Sequence, residues 1–280
     1  MKSFSFVQAS DAHLGYMQYN LPQREADFTR AFREFVDKTK EVYPDFVVFA
    51  GDLFNDPHPS NVVLGEAISL LDSLEVPVLV VPGSHDNVYS ALVGTVLDPL
   101  HKGGHIHYLP VSPFERDDVY IYGMTNFRSR RAFQEECKEY FERKPPNPSG
   151  RYNIFVLHQG VDFPELGLRP EQVEMLSGEL PAGFQYYASG HMHTGKVIHY
   201  GEAVFAYSGP LETYEYDQYD RPKTFYHVEV DSDGEASIEE LSIEGYRKFN
   251  VLEEDFSDAT FTEIEDKGRK LVEEADDDGV

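Results

Sequence analysis

Short unbroken apolar runs alternate with longer amphipathic stretches through the first half of the chain. Residues 4–8 read as a strand. Phe46–Ala50 and Val78–Val81 are continuous apolar runs, as expected of strands covered on both faces. Residues 120–122 and 154–157 predict two more strands. Between them lie helical patterns. In residues 23–42, Phe28, Ala31, Phe32, Phe35 and Val36 recur at helical spacing, and residues 61–74, 88–101 and 133–142 predict three further helices. A break at Pro145, Pro146, Asn147, Pro148, Ser149 and Gly150 follows. Beyond about Gln185 the pattern changes to strands and turns, at residues 197–200, 204–207 and 225–230. Asp231-Ser232-Asp233-Gly234 is a hairpin signal. Strand–helix alternation followed by a strand-rich stretch predicts an α/β sandwich. No internal repeat is visible.

Composition narrows this picture. The 280 residues suffice for one large domain, or one domain with an appendage. No apolar run reaches the roughly 18 residues of a membrane span, and the first residues lack the pattern of a secretory signal. Cys137 is the one cysteine, so no internal disulfide can form and a cytoplasmic, reducing setting fits. The net charge is −26, from 50 acidic and 24 basic residues. Taken alone, that balance argues against a nucleic-acid partner, because phosphate binding calls for a basic face. One reading is a strongly solvated surface. The other is adaptation to a salt-rich cytoplasm: near molar salt the Debye length is about 3 Å, and repulsion of DNA is largely screened.

Five polar motifs follow apolar segments: Asp11-Ala12-His13, Gly51-Asp52, Gly83-Ser84-His85-Asp86, His158, and Gly190-His191-Met192-His193. Open α/β sheets place their sites at strand carboxyl ends. Asp and His together suit manganese, iron or zinc. Residues i and i+2 of an extended segment point the same way, so Asp11 and His13 are expected to share one ion, and His191 and His193 to reach one site. The glycines at 51, 83 and 190 allow tight turns and close approach. Asp52, alone at the centre, suits a bridge between two ions about 3.5–4 Å apart, a pair that activates water and neutralises phosphate charge. Each motif alone has an ordinary structural explanation; all five in series, each at a strand end, do not.

The wording of these motifs resembles the calcineurin-like metallophosphoesterases, and within them the Mre/SbcD family of DNA repair nucleases. The segments that carry the resemblance begin with Asp11-Ala12-His13-Leu14-Gly15-Tyr16, Gln18-Tyr19-Asn20 and Gln23-Arg24-Glu25. Gly51-Asp52-Leu53-Phe54, Leu157-His158-Gln159-Gly160, Tyr186-Tyr187-Ala188-Ser189-Gly190-His191-Met192-His193 and Tyr207-Ser208-Gly209-Pro210-Leu211-Glu212 complete the set. The resemblance implies a four-layer αββα sandwich with two mixed β-sheets. It implies that Asp11, His13, Asp52 and His193 hold one ion, and that Asp52, His158, His191 and position 84 hold the other. His85 would act at the leaving oxygen or on transition-state charge, with Asp86 orienting its imidazole. The implied cofactors are two Mn2+ ions, with Mg2+, Fe2+ or Zn2+ as alternatives. The implied activity is DNA hydrolysis, exonucleolytic from a 3′ end and endonucleolytic near ends. The implied partners are DNA ends, an SMC-like ATPase and a second copy of the chain, with no membrane. The resemblance covers residues 1–245. Residues 246–280 form an acidic segment: a frayed tail, or the start of a capping domain.

Two positions depart from the family pattern. Ser84 stands where Asn is usual, and Asn55 where many relatives carry a His tied to exonuclease work. The tentative DNA contacts are Asn55, His58, Arg128, Arg130 and Arg131. The apolar residues of the helices predicted at 61–74 and 88–101 serve either the core or a dimer interface. The rival functions are a phosphatase or small-molecule phosphodiesterase on the same scaffold, and a non-catalytic binding module.

Overall fold

The computed structural model describes residues 1–87, 94–127, 129–146, 152–249, 251, 255–257 and 259–274. In chain order its strands are β1 (Phe4–Ala9), β2 (Phe46–Ala50), β3 (Val78–Val81), β4 (His107–Tyr108), β5 (Phe114–Arg116) and β6 (Val119–Gly123). They continue with β7 (Tyr152–His158), β8 (Tyr186–Gly190), β9 (Lys196–Tyr200), β10 (Ala203–Tyr207), β11 (Lys223–Val230) and β12 (Ala236–Ile243). The helices are α1 (Pro22–Glu41), α2 (Asn61–Asp72), α3 (Leu97–Gly103), α4 (Arg130–Arg143) and α5 (Phe261–Glu274). Two six-stranded sheets result, ordered β12-β11-β1-β2-β3-β4 and β5-β6-β7-β8-β10-β9. Both are mixed. β1 through β4 run parallel, with β11 and β12 antiparallel at one edge. β6, β7, β8 and β10 run parallel, with an antiparallel strand at each end.

Strand parity explains the layering. Along β1 and β2, Val7, Val47 and Phe49 face α1 and α2, packing with Phe32, Phe35 and Leu71. Their neighbours Phe6, Phe46 and Val48 face the second sheet, where Ile154, Val156 and Tyr186 meet them. On β7 the alternate residues Phe155 and Leu157 turn outward to Phe133, Cys137 and Tyr140 of α4. Helices, sheet, sheet and helix thus form four layers. Strands buried on both faces must be apolar throughout, so their runs were readable as strands.

One expectation is corrected, and two elements were not read from the sequence. The helix expected over 88–101 is α3, beginning only at Leu97. Thr95 Oγ1 accepts from the Leu97 amide and Asp98 from the Thr95 amide, which caps the helix there, and left-handed Gly104 (φ 83°) ends it. Residues 88–93, Leu92 among them, lie outside the described residues. β12 went unread, although it pairs with β11 along its whole length: half of its residues are polar and exposed, and Glu239-Glu240 breaks the alternation. The acidic C-terminal stretch contains α5, with Phe261 exposed. Among the described residues, no helix is long and apolar enough to cross a membrane.

Candidate metal centre

The five motifs lie at the carboxyl ends of β1, β2, β3, β7 and β8, on adjoining parts of the two sheets. Beyond β1 the backbone keeps pairing with the loop after β2: the amides of Asp11, His13 and Leu14 donate to the carbonyls of Gly51, Asp52 and Leu53, each at 3.0 Å. This zips Asp11, His13 and Asp52 into one cluster. The segments are not extended. Asp11 (φ 53°), His13 (φ 45°), Asp52 (φ 52°) and His191 (φ 84°) are all left-handed, four of the nine such non-glycine residues among those described. Backbone held in sparsely populated conformations marks sites the surrounding fold over-determines. Close packing does the rest: a Cβ on Gly83 would overlap the Asp52 carboxylate, and one on Gly51 the His158 ring.

His191 and His193 both line the cavity over this cluster, and their rings meet different groups. His193 Nε2 lies 3.6 Å from Asp11 Oδ1 and 3.3 Å from His13 Nε2. The His191 ring instead packs beside His158, with centroids 5.1 Å apart, and its Nε2 lies 3.5 Å from Glu174 Oε2. On the other side, His158 Nε2 sits 3.1 Å from Asp52 Oδ2 and 4.0 Å from Asp11 Oδ1. Three sets of ligand atoms converge: Asp11–His13–His193, Asp11–Asp52–His158 and His13–Asp52–His85, each within 4.8 Å.

These donors fit divalent ions. His158 Nδ1 donates to the Ala50 carbonyl at 2.7 Å, which leaves Nε2 buried, without a hydrogen-bond partner and aimed into the cluster, where a divalent ion would take the place of its proton. An outer hydrogen bond of this kind fixes the tautomer of a ligating histidine. His13 Nδ1 is likewise buried and unpartnered. Burial works to raise Asp11, but its hydrogen bond to His193 and the charges of His158 and His193 hold it at about 2. Asp52 is held well below the carboxylate range, the charge of His158 outweighing burial. Burial would lower His158, yet Asp52 and Asp11 raise it to about 10; for His13 burial prevails and lowers it to about 3. Two ionised carboxylates, fully or almost fully buried, therefore demand positive charge at one point. In the metal-free site a proton on His158 supplies part of it; divalent ions would supply more.

Around this cluster the other expected residues fall in different places. Ser84 Oγ donates to Asp52 Oδ2 at 3.4 Å, and the His85 amide donates to Asp52 Oδ1 at 2.7 Å. His85 Nδ1 lies 3.0 Å from the carbonyl oxygen of Asn55. That carbonyl, not Asp86, holds the His85 ring. The Asp86 carboxylate is buried and accepts the amides of Leu53, Phe54 and Gly83 at 2.7–3.1 Å, stapling the loop after β3 to the loop after β2. Burial, with Asp52 nearby, raises Asp86 to about 7. Asn55 reaches the site through its backbone, while its Oδ1 is buried without a partner. His58 is exposed beside Asp56. Arg130 is paired with Glu179 and Arg131 with Glu135. None of His58, Arg130 and Arg131 lines the cavity of about 500 Å³ over the site. Arg128 lies outside the described residues.

Sequence reasoning missed four neighbours. Tyr214 packs its ring 4.2 Å from His13 and 4.8 Å from His193. The Gln218 amide meets His193 Nδ1 at 3.1 Å. Arg221 lines the cavity, with Nη1 3.1 Å from Thr194 Oγ1, and is the one Arg or Lys among the described residues around it. Glu174 lines it as well. Gln218 ends the short 3-10 helix Tyr216–Gln218 and the other three come from irregular segments, so no strand-end pattern announces them.

Comparison with known proteins agrees with this geometry. The family model of calcineurin-like phosphoesterases matches residues 4–195. The DNA double-strand break repair protein Mre11 of Methanococcus maripaludis is 30% identical over 253 residues, covering 85% of this chain and 67% of its own. Mre11 of Methanocaldococcus jannaschii is 30% identical over 281 residues, covering 96% of this chain and 71% of its own. A crystal structure from Thermus thermophilus shares the fold, with TM-score 0.56 at 12% identity, over 86% of this chain and all of that one. The chain belongs to the calcineurin-like phosphoesterases and, within them, to the Mre11 family. It is accordingly a phosphodiester hydrolase. It spans between half and seven-tenths of the length of the first curated relatives it matches.

Proposed function

We propose that this chain is a DNA nuclease that hydrolyses phosphodiester bonds with two divalent ions, manganese foremost. It cuts as a 3′-to-5′ exonuclease and as an endonuclease near ends, in double-strand-break repair, as the cytoplasmic, homodimeric partner of an SMC-like ATPase. The observation that supports the two-ion reading best is the buried Nε2 of His158, aimed with Asp52 and Asp11 at one point. The names of the Mre11 relatives support the DNA reading.

In this reading Asp11, His13, Asp52 and His193 hold one ion, and Asp52, His158 and His191 the other, with Ser84 at its edge. The ions supply an activated water and neutralise phosphate charge. The Asn55 carbonyl orients His85 through Nδ1–H, so that Nε2 of the protonated ring is free to donate to the leaving oxygen. Asp86 keeps the loop under His85 in place. Residues 1–245 constitute the nuclease domain, and 246–280 begin a further segment.

The test is cleavage of a labelled duplex with defined ends in manganese, beside a small aryl phosphodiester and an aryl phosphomonoester. DNA cleavage abolished by a chelator is the expected result. Turnover of the small esters alone would replace the nuclease with a phosphatase or small phosphodiesterase. The acidic lining of the cavity by Glu171, Glu174, Glu215 and Asp217 is the observation that favours that rival. Asp52→Ala should remove both ions in metal analysis, because Asp52 is the proposed bridge; retention of either ion would refute that role.

A further inference from the structure

The segment Leu157-His158-Gln159-Gly160 contains one candidate ligand, His158, and yet its next residue is also fully buried. Among the described residues, no hydrogen bond of the Gln159 side chain goes to Asp11, His13, Asp52, His158 or His193. Its Nε2 donates to Glu174 Oε2 at 2.7 Å and to the Phe127 carbonyl at 3.0 Å. The Gly160 amide donates to the same Glu174 oxygen at 3.1 Å. The loop after β7 then folds back on itself. The Gly160 carbonyl accepts from the amides of Glu174 and Met175 at 2.8 and 3.1 Å, and Val161 pairs with Met175, which is fully buried. A Cβ at Gly160 would overlap the Gln172 carbonyl, so this return path requires glycine. The result is a carboxylate fixed at the wall of the cavity that also holds Asp52, Ser84 and His85. It is fixed against one group in particular: His191 Nε2, at 3.5 Å.

We propose that Glu174 is a positioning residue for the second ion, its carboxylate holding His191 through Nε2–H and leaving Nδ1 as the ring nitrogen with a lone pair to give. This rests on the two-ion reading. A ligating histidine is commonly oriented by a carboxylate on its other nitrogen, which sets the tautomer and raises ligand basicity. The left-handed turn at His191 brings the ring to Glu174. His191 and His158 are thus held from behind by different acceptors, Glu174 and the Ala50 carbonyl. The weight on Glu174 is greater here because the fourth position is Ser84, a short neutral group already donating toward Asp52. The Gln159 and Gly160 donors alone would be satisfied by a neutral amide. Only the task at His191 requires the charge.

The test is a titration of metal-free protein with Co2+, followed by its d–d absorption and by metal analysis. Wild type should take up two ions. Glu174→Gln keeps an acceptor for Gln159, Gly160 and His191, which all meet the same Glu174 oxygen, and so keeps the loop while removing the charge. It should weaken the second ion by about 10–100-fold, the usual effect of removing such an outer partner, and leave the first unchanged. His191→Ala should weaken the same ion, and adding Glu174→Gln to it should cost nothing more, because the two act as one unit. Wild-type affinity for both ions in Glu174→Gln would overturn the inference while the two-ion reading stood. A double variant weaker than His191→Ala would mean that Glu174 acts independently of His191, and would also overturn it. One ion in the wild type would remove the two-ion reading and this inference with it.

Discussion

Ser84 donates toward Asp52 and is too short to take the place an asparagine amide would fill. The second ion should therefore be the weaker one, with water completing its shell, as manganese accepts readily. Ser84→Asn should lower the manganese concentration for half-maximal activity by about tenfold, the lower end of the effect of one supporting contact. An unchanged or higher requirement would mean that Ser84 already coordinates. His85 poses the opposite question. It lies within ligand distance of His13 and Asp52, yet its ring is held from the far side by Asn55. If it serves the leaving oxygen, His85→Ala keeps both ions and loses about 10²–10⁴-fold in turnover. Loss of an ion in metal analysis would make it a ligand instead. The candidate ligands were legible from sequence because each ends an apolar run. Their partners were not. Glu174, Gln218 and Arg221 sit in loops or a single 3-10 turn, and only the folded chain brings them to the cavity. The i, i+2 argument assumed extended backbone at His191, where φ is 84°.

Between elements, one buried cluster ties α1 to the loop after β10. Arg24 of α1 is fully buried and donates to Gln18 Oε1 (2.9 Å), Asp27 Oδ2 (2.8 Å), Glu212 Oε1 and the Thr213 carbonyl (2.7 Å). Its guanidinium lies between Phe28 and Phe249, 5.1 Å from each ring. Arg247 pairs with Asp27 and gives its amide to Glu212, so buried charges are matched. This cluster secures the loop that carries Tyr214 over His13. Breaking a buried ion network typically costs about 3–5 kcal/mol. Arg24→Ala should therefore lower the urea midpoint, followed by far-UV circular dichroism because the chain has no Trp, by an amount matching that loss. A loss under about 1 kcal/mol would show that the pairing contributes little, as it does for exposed ion pairs. The motif segments around Arg24 and Glu212 were legible as family wording, but nothing local joined them. They are 188 positions apart. The core strands were legible for a local reason, their unbroken apolar runs. β12 was not, since its apolar residues Ile238 and Leu241, which pack against the two core clusters, fall out of step across Glu239-Glu240.

At the scale of the whole molecule, the net charge of −26 sets an electrostatic problem that no single contact solves. Many acidic residues are exposed, Glu239 and Glu240 of β12 and Glu263, Glu265, Asp266 and Glu273 of α5 among them, so the folded surface repels itself. It would also repel the phosphates of the proposed substrate. Self-repulsion of this kind destabilises a compact state, and salt relieves it. The Debye length falls from about 10 Å at 0.1 M to about 3 Å at 1 M, so most of the relief comes within that range. A protein that binds DNA through several phosphate contacts ordinarily loses about 10³–10⁵ in affinity between 50 and 200 mM salt. Here the cavity offers Arg221 as its one described cation, so there is little counterion release to lose, while repulsion falls as salt rises. Two outcomes are expected. The melting temperature should climb with KCl up to about 1 M and then level off. DNA cleavage should persist at salt that disables a basic nuclease. The levelling separates screening from the general effect of excluded salts, which keeps strengthening burial as concentration grows. Activity that peaks below 100 mM KCl and collapses above it, with a melting temperature flat in salt, would show that the acidic surface is ordinary solvation and not adaptation to a salt-rich cytoplasm.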